Sequence, residues 1–407
     1  MTPYLSIKSV RALAILVLID VIEKQRKSDV VLEKFGENLE ARDCALLHEL
    51  VLGVLRRFFS LEADFSRFIK QKPDVEVRMS LLLGTYQLRH MRVPSHAAVS
   101  ECVDAIKLFQ PKASGMVNAV LRKVSISEPP KKLKPYQRAE LPLWLYRVWR
   151  DAFGQDTVQA FASTLQQPPS LCVAVFVERD AWMAEVAGMG VEVCKGKYSP
   201  YAVLLPTGTY VPSLPGFDDG AFTVMDQAAQ MAVLALQAPE DGIILDVCAA
   251  PGGKTALLAH RFPKAKIVAI ELNTKRIPRL QENLLRLNCK NVHLIQADAL
   301  RLPILENYAD AAFVDAPCSA SGVLRRHPDA KFLHHESTVD ALAKIQKGML
   351  QAMMCSLKPN GNLVYAVCSI HPQENEHVTQ GYRCLESERI FPSDTHDGFF
   401  WACVTKL

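Results

Sequence analysis

The first 125 residues carry a helical pattern of apolar and polar positions. Pairs of apolar side chains recur every three or four residues from Ala45 to Phe59, and Met79–Leu88 repeats this spacing. Side chains with this period fall on one face of a helix and are buried when that face packs against another helix. We therefore predict an all-α domain over residues 1–125.

The pattern changes after Ser125. The stretch 125–135 is rich in proline and lysine and poor in apolar residues, which is typical of a linker. Short apolar runs follow it. They predict strands at 171–177, 191–194 and 201–205, with a helix near 181–187. Residues 126–221 are therefore interpreted as a linker and a small α+β unit.

Strand-like and helix-like segments alternate from residue 222 to residue 407. The predicted strands are 243–248, 266–271, 292–296, 310–315 and 362–368, followed by 399–405, with helices near 226–238, 254–261, 274–287 and 338–357. Such alternation is typical of a doubly wound parallel α/β sheet, which binds ligands beyond the strands' carboxyl ends where the strand order reverses. We expect that point between the first and fourth of these strands.

Composition restricts the function only weakly. Of the 407 residues, 49% are hydrophobic and 22% are charged, and the net charge of +4 permits a nucleic-acid partner without requiring one. The 11 cysteines include no C-x-x-C pair, which argues against a zinc ribbon or a disulfide framework and favours a reducing cytoplasm. The apolar run Ala12–Ile19 is followed at once by Asp20, so we interpret it as a buried helix of a soluble protein and not as a signal peptide.

A glycine turn joins the first of these strands to the next helix, in the stretch Asp246–Thr255 (DVCAAPGGKT). The stretch lacks the first glycine of a Walker A loop and the G-x-G-x-x-G of a dinucleotide site. Acids end the next two strands: Glu271 fits the hydroxyls of a ribose, and Asp298 could accept from an adenine amine. Three acids at successive strand ends predict an adenosine-type ligand without phosphates.

Two cysteines and an aspartate follow the fourth and fifth predicted strands. Asp315 and Cys318 follow the fourth strand, and Cys368 ends the fifth. Neighbouring strands lie roughly 5 Å apart, so these side chains would face one pocket if the two strands pair. A lone free cysteine is usually a small buried hydrophobe. Two cysteines beside a ligand-binding turn favour covalent chemistry by a thiolate.

Three motifs resemble those of the S-adenosylmethionine-dependent RNA cytosine-C5 methyltransferases: DVCAAPGGKT at 246–255, DAPCSASG at 315–322 and YAVCSI at 365–370. The opening 125 residues resemble a NusB-type helical domain, which narrows the resemblance to the RsmB (Fmu, Sun) small-subunit rRNA methyltransferases. The resemblance covers nearly the whole chain. It implies a class I, Rossmann-like methyltransferase domain over 222–407 and an RNA-binding helical domain over 1–125.

The resemblance also implies a reaction. Cytosine C5 of 16S ribosomal RNA would become 5-methylcytosine through a covalent adduct between cysteine and C6, with Cys368 as nucleophile, Cys318 as release group and Asp315 holding the N3 proton. The implied cofactor is S-adenosylmethionine. Its implied binding residues are Cys248, Ala249, Ala250, Pro251, Gly252, Gly253, Lys254, Glu271, Arg276, Asp298 and Asp315. We expect a cytoplasmic monomer that acts on RNA, with no metal, DNA or membrane partner.

The chain departs from the family pattern at a few positions. Val367 replaces the usual Thr before the nucleophile, and Met225 replaces a usual Gln. The segment between Ile370 and Asp397 is short, and the resemblance places the last strand antiparallel at the sheet edge. Two alternatives remain open: a tRNA cytosine-C5 methyltransferase and a non-catalytic rRNA-binding assembly factor.

Overall fold

The structure is a computed structural model that describes residues 9–302 and 306–406. The chain packs into two compact units. The first runs to Gln167 and also includes Leu324–His335, and the second comprises Pro168–Val323 and Glu336–Leu407. The stretch 125–135 lies inside the first unit, and the division of the chain at residues 125 and 221 stays a prediction.

The first unit is helical, in agreement with the apolar periodicity. Most side chains of α1 (Val10–Ile22) are buried in its core, and Ser9 caps this helix by accepting a hydrogen bond from the backbone N–H of Ala12. The remaining helices are α2 (Ser28–Gly36), α3 (Ala41–Arg56), α4 (Phe58–Ser66), α5 (Val75–His90), α6 (Ser95–Lys107), α7 (Ser114–Ile126), α8 (Pro135–Arg138), α9 (Leu143–Phe153), α10 (Gln155–Leu165) and, in the inserted segment, α15 (Ala330–Leu333).

A buried lysine holds the inserted segment in this unit. Lys331 Nζ donates to the carbonyl oxygens of Arg56 at 3.1 Å and Glu140 at 2.9 Å. The Glu140 carboxylate in turn accepts from the backbone N–H groups of Phe59 and Ser60. Burial lowers the pKa of Lys331 to about 8, against the opposing effect of Glu140. These bonds satisfy polar groups that would otherwise be costly to bury.

The second unit contains a small antiparallel sheet. Its elements are β1 (Leu171–Val175), α11 (Arg179–Gly188), β2 (Cys194–Lys195), β3 (Ala202–Leu205) and β4 (Phe222–Val224), and the strand order is β2-β3-β1-β4. The strand predicted at 191–194 is wrong, because pairing with β3 begins only at Cys194. Val191 and Val193 pack against the core of this sheet from outside any strand, so their apolar alternation reflects burial and not pairing.

The strands of the larger sheet are β5 (Ile243–Val247), β6 (Lys266–Glu271), β7 (Val292–Gln296), β8 (Ala309–Asp315), β9 (Leu357–Val367), β10 (Arg383–Ile390) and β11 (Phe399–Thr405), and its helices are α12 (Gln227–Leu234), α13 (Gly253–Arg261), α14 (Ile277–Arg286), α16 (Glu336–Ser356) and α17 (Glu376–Thr379). The strand order is β10-β11-β9-β8-β5-β6-β7. The strands β5 to β9 are parallel, and the order reverses between β5 and β8 as predicted. No helix among the described residues is long and apolar enough to cross a membrane.

The sheet edge differs from the expectation. The strand β11 is antiparallel to β9, as expected, but it lies inside the sheet because β10 pairs with its other side. The apolar pattern does not predict β10, since its first six residues are exposed and mostly charged or polar. Such residues are typical of an edge strand, where they discourage pairing with another chain. The segment between Ile370 and Asp397 therefore supplies an edge strand despite its length.

Two glycines bring the loop after β8 against the loop before β11. The backbone N–H of Gly398 donates to the carbonyl of Gly322 at 2.8 Å, and that of Gly322 donates to the carbonyl of Cys368 at 3.0 Å. A Cβ atom on Gly322 would lie 2.1 Å from the carbonyl oxygen of Gly398, which is closer than such atoms can approach. Position 322 therefore requires glycine, and this requirement fixes one end of the loop that carries Cys318.

We predict that Gly322→Ala destabilises the protein by about 1–3 kcal/mol, because the new methyl group must displace backbone in a packed region. Urea unfolding measures the change. Gly188→Ala is the control, since nothing lies within 4 Å of a Cβ atom there. It should be neutral or slightly stabilising in its helix. Equal stability of the two variants would contradict the required close approach.

Candidate active site

The turn between β5 and α13 has an unusual backbone. Cys248 has φ 62° and Gly252 has φ 103°, both in the left-handed region. A Cβ atom on Gly252 would also lie 2.8 Å from the Leu280 side chain, so glycine is needed there for two reasons. Thr255 Oγ1 donates to Asp246 Oδ2 at 2.5 Å and ties α13 to the end of β5. The turn thus exposes backbone at the carboxyl edge of the sheet.

Glu271 ends β6 and reaches back to this turn. Its Oε2 accepts from the Ala250 N–H at 3.2 Å, and its Oε1 accepts from the Asn273 N–H at 2.9 Å. Arg276 Nη1 lies 3.5 Å from Oε2. Asp298 follows β7, where it accepts from the N–H of Leu300 at 2.9 Å. The three predicted acids therefore lie at the ends of β5, β6 and β7.

Asp246 has an incomplete set of hydrogen bonds. Its residue is 1% exposed, and within the described part of the chain its Oδ1 atom has no hydrogen-bond partner. Burial raises the pKa of Asp246 to about 7, although the hydrogen bond from Thr255 acts in the opposite direction. A buried acceptor without a donor is costly in the protein alone. It is suited to a ligand that brings a donor or a positive charge.

Lys254 and Asp315 form an ion pair at the end of β8. Their Nζ and Oδ2 atoms lie 2.8 Å apart, and Lys254 Nζ is 5.9 Å from the ring centre of Phe399. Burial acts to lower the pKa of Lys254, but attraction and hydrogen bonding to Asp315 outweigh it, so the pKa is raised. Lys254 also interacts electrostatically with Cys368. A permanent positive charge therefore lies beside one of the two cysteines.

The sulfur atoms of Cys318 and Cys368 lie 3.4 Å apart. The parallel pairing of β8 with β9 brings them together, since Asp315 lies opposite Ala366 at the ends of the two strands. The hydrogen bond to Cys368, followed by burial, raises the pKa of Cys318 well above its ordinary value. Cys318 therefore keeps its proton and can donate it to the sulfur of Cys368. Cys248 is a different case, because burial, followed by the charge of Asp315, raises its pKa to about 12.

A buried polar cluster behind the cysteines is not predicted from the sequence. It comprises Ser319, Ser321, Gln346, Ser369 and Glu374, all of which are at most 4% exposed. Glu374 Oε2 accepts from Ser319 Oγ and from Ser369 Oγ, each at 2.5 Å. One signal in the sequence points to it, because a serine directly follows each of the two cysteines.

The departures from the family pattern lie in apolar surroundings. Val367 is fully buried in the core beneath the sheet, and Met225 is buried in the core on the other side. A valine needs no hydrogen-bond partner in such a position, whereas a buried threonine hydroxyl does. The replacement at 367 therefore fits its site.

Together the strand order, the glycine turn after β5 and the acids at the strand ends define an S-adenosylmethionine-dependent methyltransferase of the Rossmann-like class, joined to a helical domain. Comparisons agree with this class and extend it. The family model described as 16S rRNA methyltransferase RsmB/F matches residues 232–396, and the NusB family model matches residues 8–125. The fold class and the NusB-type domain expected from the sequence are thus confirmed.

Two curated relatives match almost end to end. Ribosomal RNA small subunit methyltransferase B of Proteus mirabilis is 32% identical over 98% of this chain and 99% of its own length. The protein of the same name from Klebsiella pneumoniae is 36% identical over 98% of each. This chain therefore belongs to the ribosomal RNA small subunit methyltransferase B family, and it is an enzyme of that family.

Solved structures show the same fold. The protein PH0851 matches with a TM-score of 0.80 over 98% of this chain and 99% of its own, at 22% identity. NSun6 from Pyrococcus horikoshii, solved with SFG, matches with a TM-score of 0.59 over 65% of this chain and 98% of its own, at 21% identity. At these identities the likeness concerns the fold alone.

The residues at the sheet edge fit S-adenosylmethionine. This cofactor carries a ribose, an adenine, an amine and a sulfonium, and it carries no phosphate. Acceptors are therefore required, and the structure offers the unpartnered Oδ1 of Asp246 together with the carboxylates of Glu271, Asp298 and Asp315.

We predict that Asp246→Asn stabilises the cofactor-free protein, and increasingly so as the pH rises. The native pKa of about 7 exceeds the ordinary value of 3.8, so wild type loses stability as the pH rises from 3.8 to 7. Asparagine still accepts from Thr255 but cannot ionise. The gain should be small at pH 4 and reach up to about 4 kcal/mol at pH 8.

Urea unfolding at the two pH values measures this difference. Asp241→Asn, an exposed position before β5, is the control and should leave the stability unchanged at both. An equal gain for Asp246→Asn at pH 4 and pH 8 would contradict the ionisation argument.

Proposed function

We propose that this chain transfers a methyl group from S-adenosylmethionine to C5 of a cytosine in 16S ribosomal RNA, giving 5-methylcytosine. The proposal rests chiefly on the 3.4 Å separation of the Cys318 and Cys368 sulfurs. Methyl transfer to an oxygen or a nitrogen needs no thiol, because these atoms are already nucleophilic. Methyl transfer to cytosine C5 does need one. The names of the relatives supply the RNA substrate.

The chemistry requires a temporary covalent bond. Cytosine C5 becomes nucleophilic when a thiolate adds to C6 and N3 gains a proton, since the ring is then an enamine. Bound S-adenosylmethionine supplies an electrophilic methyl group. Once C5 carries that methyl, its proton leaves and the bond between sulfur and C6 breaks. The enzyme must therefore provide a thiolate, a proton at N3 and a group that assists release.

We assign the attack to Cys368 and the release to Cys318. The Cys318 thiol has a raised pKa and lies within hydrogen-bonding distance of the Cys368 sulfur, and the Lys254 ammonium interacts with that same residue. A protonated thiol and an ammonium group are suited to stabilise the negative charge of an attacking sulfur. Asp315 is assigned to the N3 proton, with Lys254 as its charged partner.

The cofactor is assigned to the carboxyl edge of β5, β6 and β7. The turn from Cys248 to Lys254 would hold its methionine part, Glu271 the ribose hydroxyls and Asp298 the adenine amine. Arg276 supports this arrangement, because it pairs with Glu271 and donates to the carbonyl of Ala250.

The helical domain is assigned to RNA affinity. The exposed residues Lys131, Lys132, Lys134 and Arg138 would add contacts to phosphates. We also propose that the protein is a cytoplasmic monomer that acts on RNA and not on DNA. A tRNA substrate, or RNA binding without turnover, would appear as a distinct outcome in the assays below.

The two cysteines should give opposite results when each is replaced. Cys318→Ala should attack and transfer the methyl group but release product slowly, so a denaturant-resistant adduct with 16S rRNA should accumulate on a gel. Cys368→Ala should form no adduct and no 5-methylcytosine. Both variants retain the other sulfur, so the comparison isolates the role of each.

The exposed Cys355 is the control, and Cys355→Ala should methylate like wild type. If Cys368→Ala forms the adduct and Cys318→Ala does not, the two roles are reversed. Adducts formed on tRNA and not on 16S rRNA would support the tRNA alternative. Full turnover by both variants would exclude the covalent mechanism.

We further predict that Glu271→Ala weakens S-adenosylmethionine binding by about 1.5–3 kcal/mol, the usual contribution of hydrogen bonds to a charged group. Isothermal calorimetry measures the affinity. Glu282→Ala, at an exposed position on α14, is the matched control and should bind like wild type. Unchanged affinity in Glu271→Ala would refute the ribose assignment.

A further inference from the structure

We propose that Glu374 is a positioning residue that sets the distance between the two cysteine sulfurs. It acts through the serine that follows each cysteine. This inference rests on the proposed function, since it assigns Glu374 a part in that same reaction. Glu374 itself touches neither sulfur in any hydrogen bond of the described chain.

Each cysteine loop is bound to the same carboxylate oxygen. Ser319 Oγ and Ser369 Oγ each donate to Glu374 Oε2 at 2.5 Å. These serines are adjacent in sequence to Cys318 and Cys368, although 50 residues separate one loop from the other. A shift of the carboxylate would therefore move both cysteines relative to each other.

The second oxygen of Glu374 secures the Cys318 loop further. Its Oε1 accepts from the Ser319 N–H at 2.8 Å and from Gln346 Nε2 at 3.1 Å. Gln346 Nε2 also donates to the carbonyl of Pro317 at 2.9 Å. The residues on both sides of Cys318 are thus fixed by Glu374 and its neighbour on α16.

Glu374 is in turn fixed to β9, the strand that leads into Cys368. Tyr365 on that strand donates its hydroxyl to the Glu374 carbonyl at 2.6 Å, and Asn375 Nδ2 donates to the carbonyl of Ser369 at 2.9 Å. The position of the loop after β8 therefore depends, through the Glu374 carboxylate, on the position of β9. Glu374 is fully buried, so this geometry is not relaxed by water.

The four groups that contact the carboxylate are all donors, which suits an acceptor-only side chain. Burying such a group is expensive unless every bond is made, and an apolar packing would be cheaper. The two serine hydroxyls also lie 3.3 Å apart, but each has a single proton and donates it to the carboxylate. The arrangement is suited to holding reactive groups with little freedom.

The test replaces Glu374 with glutamine, which keeps its size. An amide has a single acceptor oxygen, so in either orientation the Cys318 loop loses at least one of the two hydrogen bonds that Ser319 donates to this side chain. We expect kcat for RNA methylation to fall about 10- to 100-fold, the effect of a misplacement of about 1 Å, with KM and cofactor affinity nearly unchanged. Glu376→Gln is the matched control: it lies two residues on, is exposed and pairs with Arg389, and it should behave like wild type.

A double-mutant cycle tests whether Glu374 acts through the serines. Ser369→Ala removes a single hydroxyl. It tests the proposal by itself if Glu374→Gln fails to fold. It should also lower kcat with little change in KM. The kcat of the double variant should be no lower than that of the less active single variant, because both changes break the same connection, which joins the two cysteine loops through Glu374. Additive losses would overturn the proposal.

Disulfide trapping measures the sulfur separation without any turnover. Diamide takes two electrons and two protons from a pair of nearby thiols, joining the sulfurs and becoming its hydrazine. We expect wild type and Glu376→Gln to form the Cys318–Cys368 disulfide at the same rate, and Glu374→Gln to form it at least about 10-fold more slowly. Mass spectrometry identifies the linked peptides.

Equal trapping rates in all three proteins, including no disulfide in any, would overturn the proposal. So would a Glu374→Gln variant with wild-type kcat. Because trapping requires neither RNA nor cofactor, it tests the positioning role of Glu374 separately from the proposed methyltransferase function. A wild-type protein that traps rapidly but methylates no RNA would refute the proposed function and leave the role of Glu374 in positioning intact.

Discussion

The parallel pairing of β5, β8 and β9 is the constraint on which the site depends. The register sets Val247 beside Val314 and Asp315 beside Ala366, so all three strands end at one edge. Each strand is hydrogen-bonded to a neighbouring strand on both sides. A change of register would therefore break the hydrogen bonds to both neighbours. A one-residue slip would also turn every buried side chain to the other face. The turn after β5 and the two cysteine loops therefore start from fixed points.

The site shields several charges from water, wholly or in part, and it compensates them in different ways. Lys254 and Asp315 neutralise each other, and Glu374 receives four hydrogen bonds. Asp246 receives one, from Thr255, and burial raises its pKa in spite of that bond. Asp246, with its incomplete set of hydrogen bonds, lies where we assign the cofactor. Glu374, with its complete set, lies behind the cysteines. Stability is thus given up at the position where a ligand can restore it.

Sequence reasoning is most successful where local pattern decides the structure. The runs at β6 and β7 are bounded by turn residues or acids, and the strands form at the predicted positions, Lys266–Glu271 and Val292–Gln296. It fails where apolar residues pack against a core without belonging to a strand, as Val191 and Val193 do. It also fails where a strand is paired but exposed, as in β10. Periodicity reports burial, and it predicts pairing only where the two coincide.

The same limit applies to the site. The acids and the cysteines are predictable because each lies at the end of a predicted strand, and the sheet then brings those ends together. The link from Ser319 to Glu374 spans 55 residues and depends on where a short turn after β9 places one carboxylate. Likewise, nothing in the pattern predicts that Leu324–His335 packs with the first unit, since its buried Lys331 reads as an ordinary exposed charge.

The contact between the two thiols would also account for the different roles that we propose for them. Two thiolates 3.4 Å apart would repel each other in a buried site, and this repulsion adds to the hydrogen bond and the burial that raise the pKa of Cys318. Cys318 therefore keeps its proton, while the charge of Lys254 acts on Cys368. The proposed attacking sulfur and its protonated neighbour therefore share one geometry. In this proposal the two sulfurs are distinguished by Lys254, which acts on Cys368.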